Sequence, residues 1–323
     1  MPSAFITGCA SGFGHGLAVR LLSEGWRVIA SDAETLDGVL PRSERLECHR
    51  LDVRDASQVT AAAEAVGEVD LLVNNAGYAL FGTQEEVDVE AVRDLFDVNV
   101  LGPVRVTRAL LPALRRSRGT IVQISSVAGR TAFPESGFYA ATKHAVEALS
   151  ESLFQEVCTF GVRVRVVEPG SFATRFLQRA AEVSPVPPAS SPYAGLRDVW
   201  GDRKTEVLEP PQDPALVVDA IVASLADPAP FLRVVVGPDA QRVLALREGL
   251  GPDAWTRLAG DRNGLSRPHG PGEVLSPEEV LSLSSGDAAL HPARLAAQHG
   301  HLAHWTATAT GRAALAHLSG STS

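Results

Sequence analysis

The 323-residue chain has only three cysteines, three tyrosines and one methionine, and it has no long uninterrupted apolar run. Each scarcity excludes something. Cys9, Cys48 and Cys158 lie far apart without a C-x-x-C pair, so a disulfide framework is not expected and a reducing compartment suits the count. A bilayer span needs ~20 consecutive apolar residues, so no membrane span is expected. The opening "MPSAFITG" enters a strand-like run with neither a basic nor an apolar leader segment, which makes a cytoplasmic location the expectation. Basic residues are in deficit too. Lys and Arg number 29 against 38 Asp and Glu, a formal net charge of -9 that argues against nucleic acid as a partner. Backbone amides do not enter that count, so an anionic cofactor stays compatible with it.

What is present suits a folded α/β chain. Hydrophobic residues make up 45% and charged residues 21%, enough for a sizeable core. "AFIT", "RVIAS", "RLECHR", "DLLVNN", "GTIVQIS", "VRVRVVE" and "FLRVVVG" read as seven strands, several nearly continuous in Val, Ile and Leu. Such runs fit strands buried on both faces of a parallel sheet. Amphipathic helical patterns lie between them, so a Rossmann-like, doubly wound and mostly parallel seven-stranded sheet is expected. Residues 174–213 interrupt the rhythm and "SPVPPASSP" is a loop by composition, which suits a substrate or lid loop. Asp213 followed by Pro214 reads as an N-cap and a first-turn proline opening a helix. "DAQRVLALREGLGPDAWTRLAG" reads as one further helix, which completes a domain over residues 1–260. Residues 261–323 lose periodicity and are expected to form a loosely packed or partly disordered extension.

Three local patterns carry chemistry. After the first strand, "TGCASGFGHG" spaces Gly8, Gly12 and Gly14 as G-x-x-x-G-x-G. Glycines let the backbone turn tightly and approach a pyrophosphate, while the following helix directs its positive end at that charge. The second strand ends at Asp32, where a carboxylate can accept from ribose hydroxyls and repel a 2′-phosphate. No arginine follows at once in "SDAETLDG", so NAD is favoured over NADP. The alternative is that Asp32 merely caps a loop. Third, "GFYAATKH" sets Lys143 four residues after Tyr139, and helical positions so spaced share a face. A close ammonium lowers the pKa of an acid by about 1–3 units, which would bring the phenol towards acid–base work. Taken alone, the same spacing fits an ordinary surface helix.

In order along the chain stand "TGCASGFG", "LDV" at Leu51–Val53, "NNAG" at Asn74–Gly77, Asn99, "ISS" at Ile124–Ser126, Tyr139 with Lys143, and "PGSFAT" at Pro169–Thr174. Over residues 3–240 the sequence resembles the short-chain dehydrogenase/reductase family, in particular its hydroxysteroid- and retinol-type branch. That resemblance implies a catalytic set of Asn99, Ser126, Tyr139 and Lys143. Tyr139 would act as general acid/base, Lys143 would lower its pKa and hold the nicotinamide ribose, and Ser126 would hold the substrate oxygen. Ser125 is the competing choice for that last role. The backbone of Asn99 would help hold a water that links the lysine to solvent. Around the cofactor, the resemblance implies roles for Gly8, Ser11, Gly12, Phe13, Gly14, Asp32, Asp52, Val53, Asn75, Ala76, Gly77, Tyr139, Lys143, Pro169, Gly170 and Thr174. Asn74 would be structural and tie neighbouring strands together. The implied reaction moves a hydride between a nicotinamide and a secondary alcohol or ketone, requires no metal, and takes place in a homodimer or homotetramer. An NADPH-dependent carbonyl reductase and a silent dinucleotide-binding regulator are the alternatives.

Phe172, Phe176, Leu177, Tyr193, Leu196 and Trp200 are available to line an apolar pocket, although Arg175, Arg179 and Arg197 in the same stretch leave an acidic substrate open. His144 is expected to face away from Lys143, and Cys9 and His15 to be spacers, with Cys9 oxidation-sensitive if exposed. Five of the nine histidines fall between His291 and His317 in a tract not expected to bind metal.

Overall fold

A computed structural model describes residues 1–188, 190–197 and 211–256. By packing the chain divides into two units, one of Met1–Pro187 with Leu208–Ala240 and one of Pro188–Val207 with Gln241–Ser323. The predicted extension over residues 261–323, its histidine tract and Trp200 lie outside the described residues.

All seven predicted strands form: β1 (Ser3–Thr7), β2 (Arg27–Asp32), β3 (Leu46–Arg50), β4 (Leu71–Asn74), β5 (Thr120–Ile124), β6 (Arg163–Pro169) and β7 (Phe231–Val236). They make one sheet in the order β3-β2-β1-β4-β5-β6-β7 with every pairing parallel. Alternating side chains feed two cores, because successive residues of a strand point to opposite faces. On one face Ile6, Val73, Val122 and Val167 pack with Leu17 and Leu21 of α1 (Gly12–Ser23) and Ile221 of a later helix. On the other, Phe5, Leu72, Ile121 and Val166 pack with Val59 of α2 (Ala56–Val66) and Leu110 and Leu114 of α4 (Gly102–Ser117). Burying each such side chain contributes about 1.5–3 kcal/mol, which is why the sheet tolerates so few polar positions. No helix among the described residues is long and apolar enough to cross a membrane.

Several local expectations change. The chain before β5 is α3 (Val89–Phe96) joined to α4 by a π-helical turn, Asp97–Leu101, and stays helical through Gly102–Pro103, a pair that ordinarily interrupts a helix. Gly102 instead makes close packing possible, since a methyl there would sit 2.6 Å from Val53 Cγ2. α5 (Gly137–Val157) is the expected Tyr139 helix. Within the stretch read as a loop, α6 (Phe176–Val183) forms; its apolar side chains alternate too briefly with polar ones to stand out beside the Pro and Ser around it. α7 (Ala215–Ala226) is opened by Asp213, whose carboxylate accepts from the Ala215 amide at 2.9 Å. α8 (Pro238–Leu250) stops short of its predicted end because Gly251 turns left-handed, at φ 77°.

Candidate active site

The strand order reverses between β1 and β4, and in such sheets the crevice at the carboxyl edge beside that point takes the ligand. Gly8 follows β1, Asn75 follows β4, and both line a pocket of about 420 Å³ in the larger unit. Thr7 joins the two strand ends: its hydroxyl accepts from the amides of Asn75 and Ala76, each at 3.0 Å. The Asn75 side chain donates back to Thr7 O and Gly8 O at 2.9 and 3.0 Å. Gly14 permits this closeness, because a Cβ there would meet Gly8 O at 2.2 Å. Gly8 and Gly12 have φ of 75° and 59°, the left-handed region in which glycine is unstrained.

α1 starts at this loop with no side-chain cap and no acid in its first turn. Its free first-turn amides and positive end therefore face the pocket and suit a pyrophosphate. At the adenosine end, Asp32 is held rigidly, accepting from the amides of Ala10 at 2.8 Å and Glu34 at 2.9 Å. Asp52 lines the same end, ion-paired with Arg54 at 2.6 Å, and that hydrogen bond holds its carboxyl below the usual range. The residues present thus fit an extended dinucleotide.

Phe13, Val53, Ala76, Gly77, Pro169, Gly170 and Thr174 also line the pocket, as do Ser126, Tyr139 and Lys143. The Ser126 hydroxyl donates to Pro169 O at 3.5 Å and accepts from Ala128 N at 3.1 Å, and it is near enough to the Tyr139 phenol to favour its ionised form. Ser125, the competing serine, turns its hydroxyl into the protein, where it has no partner among the described residues. Tyr139 and Lys143 share one small volume of that pocket. Lys143 Nζ stands 5.7 Å from the Tyr139 ring centre and donates to Ile124 O at 2.9 Å. Burial pushes the phenol up to about 12, opposed by the Ser126 hydrogen bond. Burial pushes Lys143 down to about 8, opposed by the Glu147 charge.

Asn99 lies in the π-turn, which turns its side chain to Tyr78: Nδ2 donates to Tyr78 O at 2.8 Å and Oδ1 accepts from Tyr78 N at 3.1 Å. A methyl on Gly77 would lie 3.0 Å from Asn99 Oδ1 and 3.9 Å from Lys143 Nζ, so the three converge. Asn74 bonds the Thr107 hydroxyl of α4 at 2.8 Å, tying strand to helix where a strand-to-strand tie was expected. Cys9 is wholly buried with its thiol pKa raised, which removes the expected sensitivity. His144 is exposed and bonds its own helix at Ala140 O, pointing away as expected.

Of the expected apolar lining, Phe172 and Phe176 are in place, with Phe176 edge-on to Tyr139 at 5.5 Å. Leu177 is half exposed outside the lining, and Tyr193 and Leu196 belong to the other unit. The pocket also holds residues the sequence did not suggest: Tyr78, Glu34, Arg54 and, from α6, Glu182 and Val183. The position of Tyr78 directly after "NNAG" was the one available signal. Arg179 reaches Glu34 at 2.8 Å, so an arginine does stand near the Asp32 end, brought from 145 positions away.

The family model for short chain dehydrogenases matches residues 2–184. Oxidoreductase BOA17 of Botryotinia fuckeliana (strain B05.10) is 35% identical over 247 residues, 73% of this chain and 89% of that protein. Retinol dehydrogenase 7 of Mus musculus is 43% identical over 181 residues, 53% of this chain and 56% of that protein, so the match spans about half of that relative. A solved short-chain dehydrogenase from Streptomyces avermitilis matches with a TM-score of 0.67 at 34% identity, covering 80% of this chain and 97% of that one. Several matching structures hold nicotinamide cofactors, more of them NADP or its derivative than NADH. One, from Burkholderia cenocepacia J2315 with NADP, has TM-score 0.64 and 28% identity and covers 83% and 98% of the two chains. Another, a Brucella melitensis 3-ketoacyl-(acyl-carrier-protein) reductase with NADH, has TM-score 0.61 and 26% identity and covers 74% and 98%.

Proposed function

This chain belongs to the short-chain dehydrogenase family, and we propose that its pocket moves a hydride between NAD and a fairly apolar secondary alcohol or ketone, with Tyr139 as the general acid/base. The observation that carries this reading is that Tyr139, Ser126 and Lys143 line the same pocket as the glycine loop and Asp32. When bound, the nicotinamide supplies the hydride acceptor or donor and, oxidised, a positive charge. Ser126 holds the substrate oxygen, and Tyr139 takes or returns the proton at its phenol oxygen. Lys143 keeps an ammonium within the pocket, and Asn99 fixes the Tyr78 backbone beside Gly77. Phe172 and Phe176 exclude water from the reacting end, which favours an apolar substrate.

NAD is preferred because the Asp32 carboxylate is pinned by two amides and cannot turn from a 2′-phosphate. A second reading, an NADPH-dependent reductase, draws on Arg179 and Arg54, although each is already paired with a carboxylate. A panel of alcohols and ketones read by nicotinamide absorbance, with both cofactors, tests the proposal. We expect turnover with a lower Michaelis constant for NAD; a clear NADPH preference overturns the reading of Asp32. Tyr139→Phe is expected to lose ~10²–10⁴-fold in turnover while still binding dinucleotide. Unchanged function in that variant is the result for a silent regulator. We further propose that copies of the chain associate through α4 and α5, whose outer faces expose Val104 and Leu149.

A further inference from the structure

One turn along α5 from Lys143, β5 and β6 present a second polar group. Ile124 pairs with Val167, and Ser125 N donates to Val167 O at 2.8 Å, so Ser125 and Glu168 occupy the next rung of neighbouring strands. Both side chains lie on the sheet face that α5 covers, in step with Ile121 and Val166 of the core there. Glu147 descends onto them from α5, one turn beyond Lys143. A methyl built on Gly129 would stand 2.5 Å from Ser125 Oγ and 3.2 Å from Glu147 Oε1, so both atoms face one small volume. Ser125, Glu147 and Glu168 are 2%, 6% and 0% exposed.

Two arginines meet one edge of this group. Arg233 Nε of β7 lies 3.0 Å from Glu147 Oε2 and 3.4 Å from Glu168 Oε1, while Arg130 of the turn after β5 reaches Glu168 Oε1 at 3.3 Å. Arg233 also pairs with Glu151 of α5 at 2.5 Å. The other edge is bare: Ser125 Oγ, Glu147 Oε1 and Glu168 Oε2 have no hydrogen-bond partner among the described residues. With both carboxylates ionised, these three acceptors share a single hydroxyl hydrogen. At least one buried anionic oxygen is then left unmatched, which protein interiors rarely tolerate. One added proton closes the set. On the carboxylate pair bridged by Arg233 Nε, 3.0 Å from Glu147 Oε2 and 3.4 Å from Glu168 Oε1, it removes one of two adjacent buried negative charges.

We propose that Ser125, Glu147 and Glu168 form a buried site that holds one exchangeable proton and sets the charge seen by Lys143. Burial, and then the Glu147 charge, push the Glu168 carboxyl up to about 7, against the pull of Arg130 and Arg233. The charged groups facing it are Lys143, Glu147 and Glu151 from α5, Arg130 from the turn and Arg233 from β7. Loss of the proton adds a negative charge beside Glu147 and so holds the Lys143 ammonium more firmly. This consequence for catalysis rests on the proposed function, but the site itself does not.

The test is infrared difference spectroscopy on the full chain with ¹³C-labelled glutamate, stepped from about pH 5 to about pH 9. The wild type should lose a protonated-carboxyl band with a midpoint near neutrality, and Glu168→Gln should lack that band. Ser125→Ala, which keeps the fold if the glutamine variant does not, should shift the midpoint by about half a pH unit or more. Thermal unfolding adds a second readout. A carboxyl raised on folding binds its proton more tightly in the native state, so stability falls as pH rises between about 4.5 and 7, and Glu168→Gln should flatten that fall. A wild type without the band overturns the site, as does a Glu168→Gln spectrum matching the wild type or a Ser125→Ala midpoint that does not move. Stabilisation by sodium or potassium with no carboxyl band assigns the pocket to a cation and overturns it equally. None of these readouts uses turnover, so a failed dehydrogenase assay and a failed proton site are separate results.

Discussion

Tyr139 and Lys143 are both displaced from their ordinary ionisation by the same cause, burial, and in opposite directions. The displacement of the lysine can be read as stability. Its folded pKa of about 8 lies below its unfolded value of 10.5, so the unfolded chain binds more protons between those limits and stability must rise with pH across them. Below pH 8 the buried ammonium costs on the order of 3 kcal/mol at most. Tyr139 acts in the opposite sense, but only above its unfolded value of 10. Denaturant unfolding at pH 7 and at pH 10 should therefore show the wild type gaining on Lys143→Met as pH rises. Parallel slopes for the two proteins would show that the lysine is not desolvated as described.

Among elements, the turn from β1 to α1 depends most on residue identity. Gly14 has no room for a methyl, since its nearest neighbours are Gly8 O at 2.2 Å, Asn75 Nδ2 at 2.5 Å and Gly8 C at 2.9 Å. Two of those atoms are backbone, so Gly14→Ala must move the loop, at about 1–3 kcal/mol and with at least about tenfold weaker dinucleotide binding. Gly12 differs in kind. A methyl there meets nothing closer than Thr174 at 3.5 Å, and only its φ of 59° opposes substitution, so Gly12→Ala should cost about 1 kcal/mol. Urea titration and dinucleotide fluorescence on the pair test this ordering; equal effects would show that the loop yields freely. Elsewhere β6 holds α7 with fully buried Arg165, which donates to the carbonyls of Ser224 at 3.0 Å and Asp227 at 2.8 Å at the end of that helix. This arrangement offsets the negative end of α7.

For the molecule as a whole, the outer side of α4 and α5 is the least finished surface of the larger unit. Val100, Val104, Leu111, Leu149 and Leu153 line a groove of about 270 Å³, with Val104 40% and Leu149 44% exposed. If copies associate there, Leu149→Glu places a charge in the contact and should shift the sedimentation of the chain to that of a monomer, leaving its melting temperature within a few degrees. An unchanged sedimentation coefficient removes α5 from any interface.

The sequence by itself was enough for the seven strands, their parallel pairing and the helices that flank them. A strand buried on both faces must be continuously apolar, and a helix on such a sheet must repeat every three to four residues, so both are local patterns. The glycine turn was legible for a similar reason, since a backbone at positive φ selects its residue locally. α6 was hidden because eight residues among prolines carry too little periodicity, and the π-turn at Asn99 because a single extra residue leaves the apolar pattern almost unchanged. Only the tertiary structure brought Ser126 and Tyr139 into one pocket and left Ser125 Oγ buried near Glu147 Oε1. It alone placed Arg179 beside Glu34 and buried the Tyr139 phenol. Those outcomes turn on distances of a few ångströms and on burial between residues far apart in the chain, and electrostatic energies change steeply with both.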